Sequence, residues 1–186
     1  MCIRDRVWSA LEDEIRLLQE KHEQTSKLPG VILADSVSFT TSLKEAVKGR
    51  DLLVLAVPSP FVRSTAHQLR DVVEEKQIIV NVAKGIEEKT LMTLSEVIEE
   101  EIPQAQVAVL SGPSHAEEVG KGVPTTIVAG AKTRSAAEKI QNIFMSPVFR
   151  VYTSPDVLGI ELGAALKNVE MCIRDRWYGQ GRLRRG

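Results

Sequence analysis

The sequence contains three short apolar stretches that decide its fold: Leu52–Val57 (LLVLAV), Ile78–Val82 (IIVNV) and Val107–Leu110 (VAVL). The turns that follow them are made of small and polar residues: Pro58-Ser59, Lys84-Gly85 and Ser111–Ser114 (SGPS). Stretches of this length, rich in Val, Ile and Leu, are typical of buried parallel strands in an α/β sheet. Ligands of such sheets bind outside the carboxyl ends of the strands. We therefore expect the three turns to converge on one crevice, which holds a lysine and several hydroxyl groups.

The segments between these strands alternate between helical and extended patterns. Helices are predicted over Leu11–His22, Pro60–Val73, Thr90–Glu101, Ser114–Val119 and Thr133–Phe144, and further strands over Val37–Thr40, Thr125–Ala129 and Phe149–Tyr152. Ser42 is placed to cap a short helix, and from Asp156 the pattern stays helical. The predicted fold is α/β: an incomplete doubly wound, Rossmann-like parallel sheet, followed by the first helix of an α-helical second domain.

The two ends of the chain share a repeat, because Met1–Arg6 (MCIRDR) recurs unchanged as Met171–Arg176. Six residues are too few to form a stacking structural repeat. We interpret both copies as translated adapter DNA, which is excluded from fold reasoning. The alternative is a paired interaction motif at the two termini. The Arg-rich segment 177–186 is interpreted as an artefact or an out-of-frame tail.

Leaving out these terminal segments changes the charge balance and the cysteine content of the chain. The whole chain carries 24 Lys+Arg and 25 Asp+Glu, and removing both hexapeptides and the tail leaves 17 against 23. The remaining segment is acidic, so nucleic acid is not expected as a partner. Both cysteines of the chain, Cys2 and Cys172, lie in the hexapeptides, so the segment between the hexapeptides has none. A disulfide framework or a thiolate metal site is therefore excluded in that segment, which suits a reducing cytoplasm. No apolar run approaches the ~18 residues of a membrane span.

Five motifs in order resemble bacterial NAD(P)-dependent glycerol-3-phosphate dehydrogenase over residues 7–169. They are Ala56–Ser59 (AVPS), Ala83–Glu87 (AKGIE), Leu110–Val119 (LSGPSHAEEV), Phe149–Tyr152 (FRVY) and Gly159–Val169 (GIELGAALKNV). The resemblance implies an oxidoreductase of the cytoplasm that interconverts sn-glycerol 3-phosphate and dihydroxyacetone phosphate with NAD or NADP. It also implies a role in glycerophospholipid synthesis and a full-length enzyme that is a homodimer.

The resemblance further implies the roles of individual residues. Catalysis is assigned to Lys167, as acid/base, and to Lys84, which contacts substrate and cofactor. The substrate-binding residues are Lys84, Gly112, Ser114, Lys167 and Asn168, and the cofactor-binding residues are Lys84, Ala116, Val57, Pro58 and Ser59. No metal is expected. The reaction needs a proton for the ketone oxygen, and a lysine supplies one only when burial or a nearby cation lowers its pKa. From position alone, Lys84 also reads as an ordinary solvated turn lysine.

A dinucleotide-binding fold of this type begins with a strand and a G-x-G-x-x-G turn, and that motif does not occur here. We therefore expect Val7-Trp8 to end the second strand, and the first strand, its turn and the first helix to be missing. The predicted division is 1–6 adapter-derived, 7–153 a partial dinucleotide-binding domain, 154–170 the start of a helical substrate domain, and 171–186 artefact. Such a fragment is expected to fold poorly and to be inactive.

Two other readings stay open at this point. One is a different two-domain NAD(P)-dependent dehydrogenase that acts on another hydroxy acid or ketone. The other is a non-catalytic interaction protein, which requires the termini to be genuine. The choice between NADH and NADPH also stays open, although Ser9–Asp13 offers no arginine for a 2′-phosphate.

Overall fold

The structure is a computed structural model that describes residues 5–167. Strands and helices alternate in the order β1 (Arg6–Trp8), α1 (Glu12–Lys21), β2 (Ser38–Thr40), α2 (Leu43–Val47), β3 (Leu52–Leu55), α3 (Val62–Leu69), β4 (Ile78–Asn81), α4 (Leu94–Glu101), β5 (Gln106–Ser111), α5 (Ala116–Gly120), β6 (Thr125–Ala131), α6 (Arg134–Phe144), β7 (Phe149–Ser154) and α7 (residues 157–167). A 3-10 turn, Ser59–Phe61, precedes α3. The predicted α/β alternation is confirmed.

The main sheet has five strands in the order β3-β4-β5-β6-β7. The three apolar stretches form neighbouring parallel strands, as predicted. The sheet departs from the expected all-parallel arrangement at β6, which runs antiparallel to β5. The helix in the connection, α5, has five residues and spans about 7.5 Å, much less than the ~20 Å of the six-residue strand β5. It does not run back along the sheet as a crossover helix does, and β6 starts at the edge where β5 ends.

Helices cover both faces of this sheet, as a doubly wound fold requires. Along β4 the side chains alternate: Ile79 joins a core formed with α3 and α4, whereas Ile78 and Val80 join a second core formed with α6. All four residues of β4 are buried. Its first three residues, Ile78–Val80, are therefore all apolar, because each face of the strand is covered by a helical layer.

The strands β1 and β2 form a separate parallel pair. Within residues 5–167, β1 pairs only with β2 and β3 pairs only with β4. A groove of about 420 Å³ lies between the two sheets and is lined by β1 and β3 residues, among them Trp8 and Leu53. Val54 of β3 is 48% exposed, which is unusual for a strand of an α/β sheet. The groove lies where the sequence predicts a missing strand.

Two helix starts show how local sequence sets element bounds. Ser42 caps α2 as predicted, since its side chain accepts a hydrogen bond from the Glu45 N–H. The predicted start of α4 at Thr90 is wrong, because the helix begins at Leu94 after a capping box formed by Thr93 and Glu96. The two side chains of the box accept hydrogen bonds from the Glu96 and Thr93 N–H groups, which have no partner in the helix when it starts at Leu94.

A candidate active site at the carboxyl ends of the strands

The turn after β4 is shaped by Asn81, the last residue of that strand. Its Oδ1 accepts a hydrogen bond from the Ala83 N–H at 3.1 Å, and its Nδ2 donates to the Ala83 carbonyl at 3.3 Å. The Asn81 side chain is thus bonded to the backbone two residues ahead, and it sets the direction in which the chain presents Lys84. Because Asn81 is buried, the turn is tied to the sheet core.

Gly85 completes the turn and brings it against the loop that follows β3. Its φ is +148°, and a Cβ at this position would lie 2.9 Å from Ser59 Cβ and 3.0 Å from Ser59 Oγ. Only glycine combines this backbone angle with so close an approach. The loops after β3 and β4 therefore abut, as predicted for turns at the same edge of the sheet.

Lys84 reaches across to the loop that follows β5. Its Nζ donates to the carbonyls of Gly112 and Ser114 at 3.1 and 3.3 Å, and lies 3.4 Å from Ser114 Oγ. The structure thus brings together Lys84, Gly112 and Ser114, which the sequence predicted to share one crevice. The first turn is joined to them through the contact between Ser59 and Gly85.

The Lys84 ammonium group is half-buried and has no carboxylate partner within ion-pairing distance among residues 5–167. Burial lowers its pKa below the ordinary value for lysine, and the positive charge of Lys167 lowers this pKa further. Both effects disfavour the charged form of the amine. Lys84 is thus half-buried and bonded to the loop after β5, whereas its catalytic role stays a prediction.

Lys167 is half-buried at the end of the described part of α7. The helix packs on the sheet where β6 has no side chain, since a Cβ at Gly130 would lie 2.6 Å from Ile160 Cδ1 and 3.5 Å from Val157 Cα. The positive charge of Lys167 lies close enough to Lys84 to lower its pKa, so this end of α7 faces the Lys84 crevice. The catalytic roles of the two lysines stay predictions. Asn168, the predicted substrate-orienting residue, lies outside the described residues.

The loop after β5 departs from one prediction. The predicted helix Ser114–Val119 starts two residues later, because α5 begins at Ala116 with His115 as its N-cap residue and no side-chain cap. The Ser114 N–H donates to the Gly112 carbonyl instead, at 2.8 Å. Gly112 is held close to β6, because a Cβ there would lie 3.1 Å from Ile127 Cα. The loop is therefore a tight turn that aims two carbonyls at Lys84.

A cavity of about 600 Å³ opens beside Lys84 and Ser114. Ala116, predicted to contact the cofactor, lines it together with apolar residues from α5, α6 and β7. A cavity of this size and mostly apolar lining is typical of a small-ligand site. His115 lines it too, but it is exposed, and it stays without a proposed role.

The other predicted cofactor residues follow β3. Val57 lines the groove between β1 and β3 and packs against the core formed with α3 and α4. Pro58 precedes the 3-10 turn that begins at Ser59. These residues lie on the β3 side of Lys84 and Ala116 on the β5 side, so the predicted cofactor contacts flank Lys84. Their binding roles stay predictions.

Two buried residues of this site were missed by sequence reasoning. Asn81 was read only as part of an apolar stretch, and Glu161 only as part of a motif. Both are buried and hydrogen-bonded to each other, Asn81 Nδ2 donating to Glu161 Oε1 at 3.4 Å. The available signal was a polar residue inside an apolar or small-residue run, because buried polar groups need partners.

Taken together, the fold and the lysine-bearing crevice at its strand ends define a Rossmann-like α/β domain with the layout of an enzyme. Residues 3–137 match the family model described as the N-terminus of NAD-dependent glycerol-3-phosphate dehydrogenase. The chain therefore belongs to the NAD-dependent glycerol-3-phosphate dehydrogenase family, as the resemblance of its five motifs implied.

Individual relatives agree with this membership. A protein of Agathobacter rectalis named glycerol-3-phosphate dehydrogenase (NAD(P)+) is 64% identical over 163 residues, covering 88% of this chain and 48% of that protein. One of Fusobacterium nucleatum with the same name is 53% identical over 165 residues, covering 88% and 49%. A crystal structure of glycerol-3-phosphate dehydrogenase from Coxiella burnetii matches with a TM-score of 0.84 at 26% identity, covering 88% of this chain and 50% of that one. The chain spans about half the length of the curated relatives it matches.

Two further features bear on the class of protein. Across residues 5–167 no helix has the length and apolar character needed to cross a membrane. In the same part of the chain no group of three or more His, Cys, Asp or Glu side chains is arranged to hold a metal ion.

Proposed function

We propose that this chain is part of an NAD(P)-dependent enzyme that interconverts dihydroxyacetone phosphate and sn-glycerol 3-phosphate. The observation that carries the proposal is Lys84: a half-buried lysine, held at the strand ends by three acceptors, with a pKa lowered by burial and by Lys167. Family membership supplies the reaction. As the relatives are about twice as long as this chain, the rest of the substrate site belongs to the full-length protein.

The two lysines divide the work at the reacting carbonyl. Lys167 donates a proton to the ketone oxygen during reduction and takes it back during oxidation of the alcohol. Lys84 binds the substrate, and its positive charge stabilises the oxygen as negative charge develops there. Burial and the positive charge of Lys167 lower the pKa of Lys84, so Lys84 holds its proton less tightly than a solvated lysine does. Gly112 and Ser114 shape the wall against which the substrate lies.

The nicotinamide ring of bound NAD or NADP supplies or accepts the hydride at the carbonyl carbon. The residues present fit such a ring, because the cavity beside Lys84 is mostly apolar and Ala116 gives it a small side chain at its rim. Lys84 lies between this cavity and the loop after β3, so it is placed to touch both substrate and cofactor. Val57, Pro58 and Ser59 would contact the cofactor from the β3 side.

Substrate preference in the full-length protein tests the proposal. We expect oxidation of NADH or NADPH with dihydroxyacetone phosphate, and turnover at least ~100-fold slower with unphosphorylated dihydroxyacetone, because binding energy from a remote group supports the chemical step. Lys84→Met should reduce kcat/KM by roughly 100-fold or more. The matched control is Lys89→Met, which removes an exposed lysine in the same loop and should leave turnover unchanged. Equal rates with both ketones, or equal losses in both variants, would contradict the proposal.

Two finer predictions accompany this function. Since its substrate and cofactor are metabolites of the cytoplasm, we place the enzyme there, where it would feed glycerophospholipid synthesis. The full-length enzyme is predicted to be a homodimer, and sedimentation velocity on the purified protein measures this directly.

A further inference from the structure

Glu161 is a carboxylate in the interior of the protein, on the helix that carries Lys167. It is 5% exposed. Its Oε1 accepts hydrogen bonds from the Ser95 N–H at 3.0 Å and from Asn81 Nδ2 at 3.4 Å, and its Oε2 accepts one from the Ser95 hydroxyl. Burying a carboxylate is costly unless its oxygens are satisfied in this way, so the three donors are a condition for α7 to lie where it does.

The partner at Ser95 is the N-terminus of α4. The first turn of a helix has N–H groups without partners in the helix itself. In α4 the capping box of Thr93 and Glu96 satisfies two donors, and Glu161 takes the N–H of Ser95. The positive end of the helix dipole also favours a carboxylate at this place. Glu161 therefore joins α7 to the start of α4 by a charge-assisted contact.

The partner at Asn81 leads to Lys84. Asn81 donates to Glu161 with the same amide group that donates to the Ala83 carbonyl, and its oxygen accepts from the Ala83 N–H. One buried amide thus holds both the turn that presents Lys84 and the carboxylate of α7. In the part of the chain that the structure describes, residues 157–167 make two sets of side-chain hydrogen bonds to other residues: the Gly159 N–H donates to the adjacent Asp156 carboxylate, and Glu161 alone bonds to residues of β4 and α4.

We propose that Glu161 is a positioning residue that clamps α7 to β4 and α4 and thereby holds Lys167 beside Lys84. The importance of this placement for catalysis rests on the proposed function, whereas the clamp itself does not. Apolar contacts of Val157 and Ile160 with Gly130 hold the start of α7 on the sheet. Glu161 follows these residues in α7 and makes the polar contact that holds the part of the helix nearer to Lys167.

A clamp and a mere negative charge have opposite effects on Lys84. If Glu161 acted only through its charge, removing that charge would lower the pKa of Lys84, since a nearby anion favours the ammonium form. If Glu161 acts as a clamp, its loss lets Lys167 move away, which raises the pKa of Lys84 because repulsion and burial both decrease. The loop itself carries two carboxylates: Glu87, which is held by two hydrogen bonds from Arg63, and Glu88, which is exposed. Both are unchanged in either case.

The test measures the pKa of Lys84 in this 186-residue chain, by competitive acetylation across a pH series with mass spectrometry of the Lys84 peptide. Lys89 in the same loop is the internal reference. Lys167→Met should raise the midpoint of Lys84, because the repelling charge is gone. Glu161→Ala should raise it by at least half as much. Glu161→Gln should not raise it, since the amide keeps the hydrogen bonds once the Ser95 hydroxyl turns to accept.

A control variant separates the clamp from general loss of stability. A second buried carboxylate, Glu101 of α4, is bonded to Arg63, His67 and Arg70 and makes no hydrogen bond to Asn81 or Lys84. Glu101→Gln should therefore destabilise the chain without moving the Lys84 midpoint. A Glu161→Ala midpoint that is unchanged or lowered would overturn the proposal. If Glu161→Ala does not fold, Ser95→Ala decides, with a smaller rise expected and no rise overturning the clamp. No substrate or cofactor is involved, so the result stands apart from any failure of the proposed function.

Discussion

The contact between Gly85 and Ser59 gives a prediction whose magnitude follows from the structure. Gly85→Ala places a Cβ at a φ of +148°, which costs about 1–3 kcal/mol in a residue with a side chain. The same Cβ would lie 2.9 Å from Ser59 Cβ, well inside the ~3.5–4.0 Å of an ordinary carbon contact. Overpacking of this kind adds about 1–3 kcal/mol. We expect a total loss of about 2–6 kcal/mol in the free energy of unfolding.

The two contributions separate in a double-mutant cycle. Ser59→Gly removes both atoms that the new Cβ meets, so the double variant should recover the steric part and keep the backbone part. We expect a coupling free energy equal to the steric part, about 1–3 kcal/mol, above the ~0.5 kcal/mol seen between independent sites. Urea unfolding followed by circular dichroism measures all four proteins. A Gly85→Ala loss below about 0.5 kcal/mol, or a coupling near zero, would show that the two loops do not abut as described.

Two further predictions concern stability. Glu87 accepts two hydrogen bonds from Arg63, which holds the pKa of its carboxyl at about 2. Glu87→Gln should therefore destabilise the chain by about 1–2 kcal/mol at pH 7. This difference from the wild type is present above about pH 4.5 and should shrink as the pH falls toward 2. Urea unfolding at pH 7 and at pH 3 measures this, and a difference that grows in acid would contradict it. Ile79→Ala should cost about 2–5 kcal/mol because this β4 side chain is fully buried between the sheet and the helices α3 and α4. Val54→Ala, on the exposed edge of β3, should cost less than about 1 kcal/mol. Equal losses in the two variants would mean that the β3 edge is covered.

Much of the fold was predictable because its signals are local. The apolar stretches of β3, β4 and β5 end at turns, and parallel strands end at a common edge, so the meeting of Lys84 with Gly112 and Ser114 followed from the sequence alone. The cap at Ser42 also needed only its immediate neighbours. Motif order added the family, which strand patterns by themselves do not specify.

The features that were not predicted depend on contacts between distant segments. The direction of β6 is set by the short connection through α5, and an apolar strand reads the same in either direction. The hydroxyl of Ser114 has two possible uses in a sequence, a helix cap or a tertiary contact, and the nearby Lys84 decides between them. Asn81 and Glu161 are 80 residues apart, and neither side chain reveals its partner locally.

The most direct test of the account is Lys167→Met in the full-length protein, assayed for reduction of dihydroxyacetone phosphate with NADH and NADPH. If Lys167 supplies the proton beside Lys84, turnover should fall by ~100-fold to ~10,000-fold. The Kd for the nicotinamide cofactor, measured by fluorescence titration, should stay within about 3-fold of the wild-type value, a difference of roughly 0.6 kcal/mol. Near-normal turnover in this variant would contradict the account, because the lysine paired with Lys84 would then have no part in the reaction.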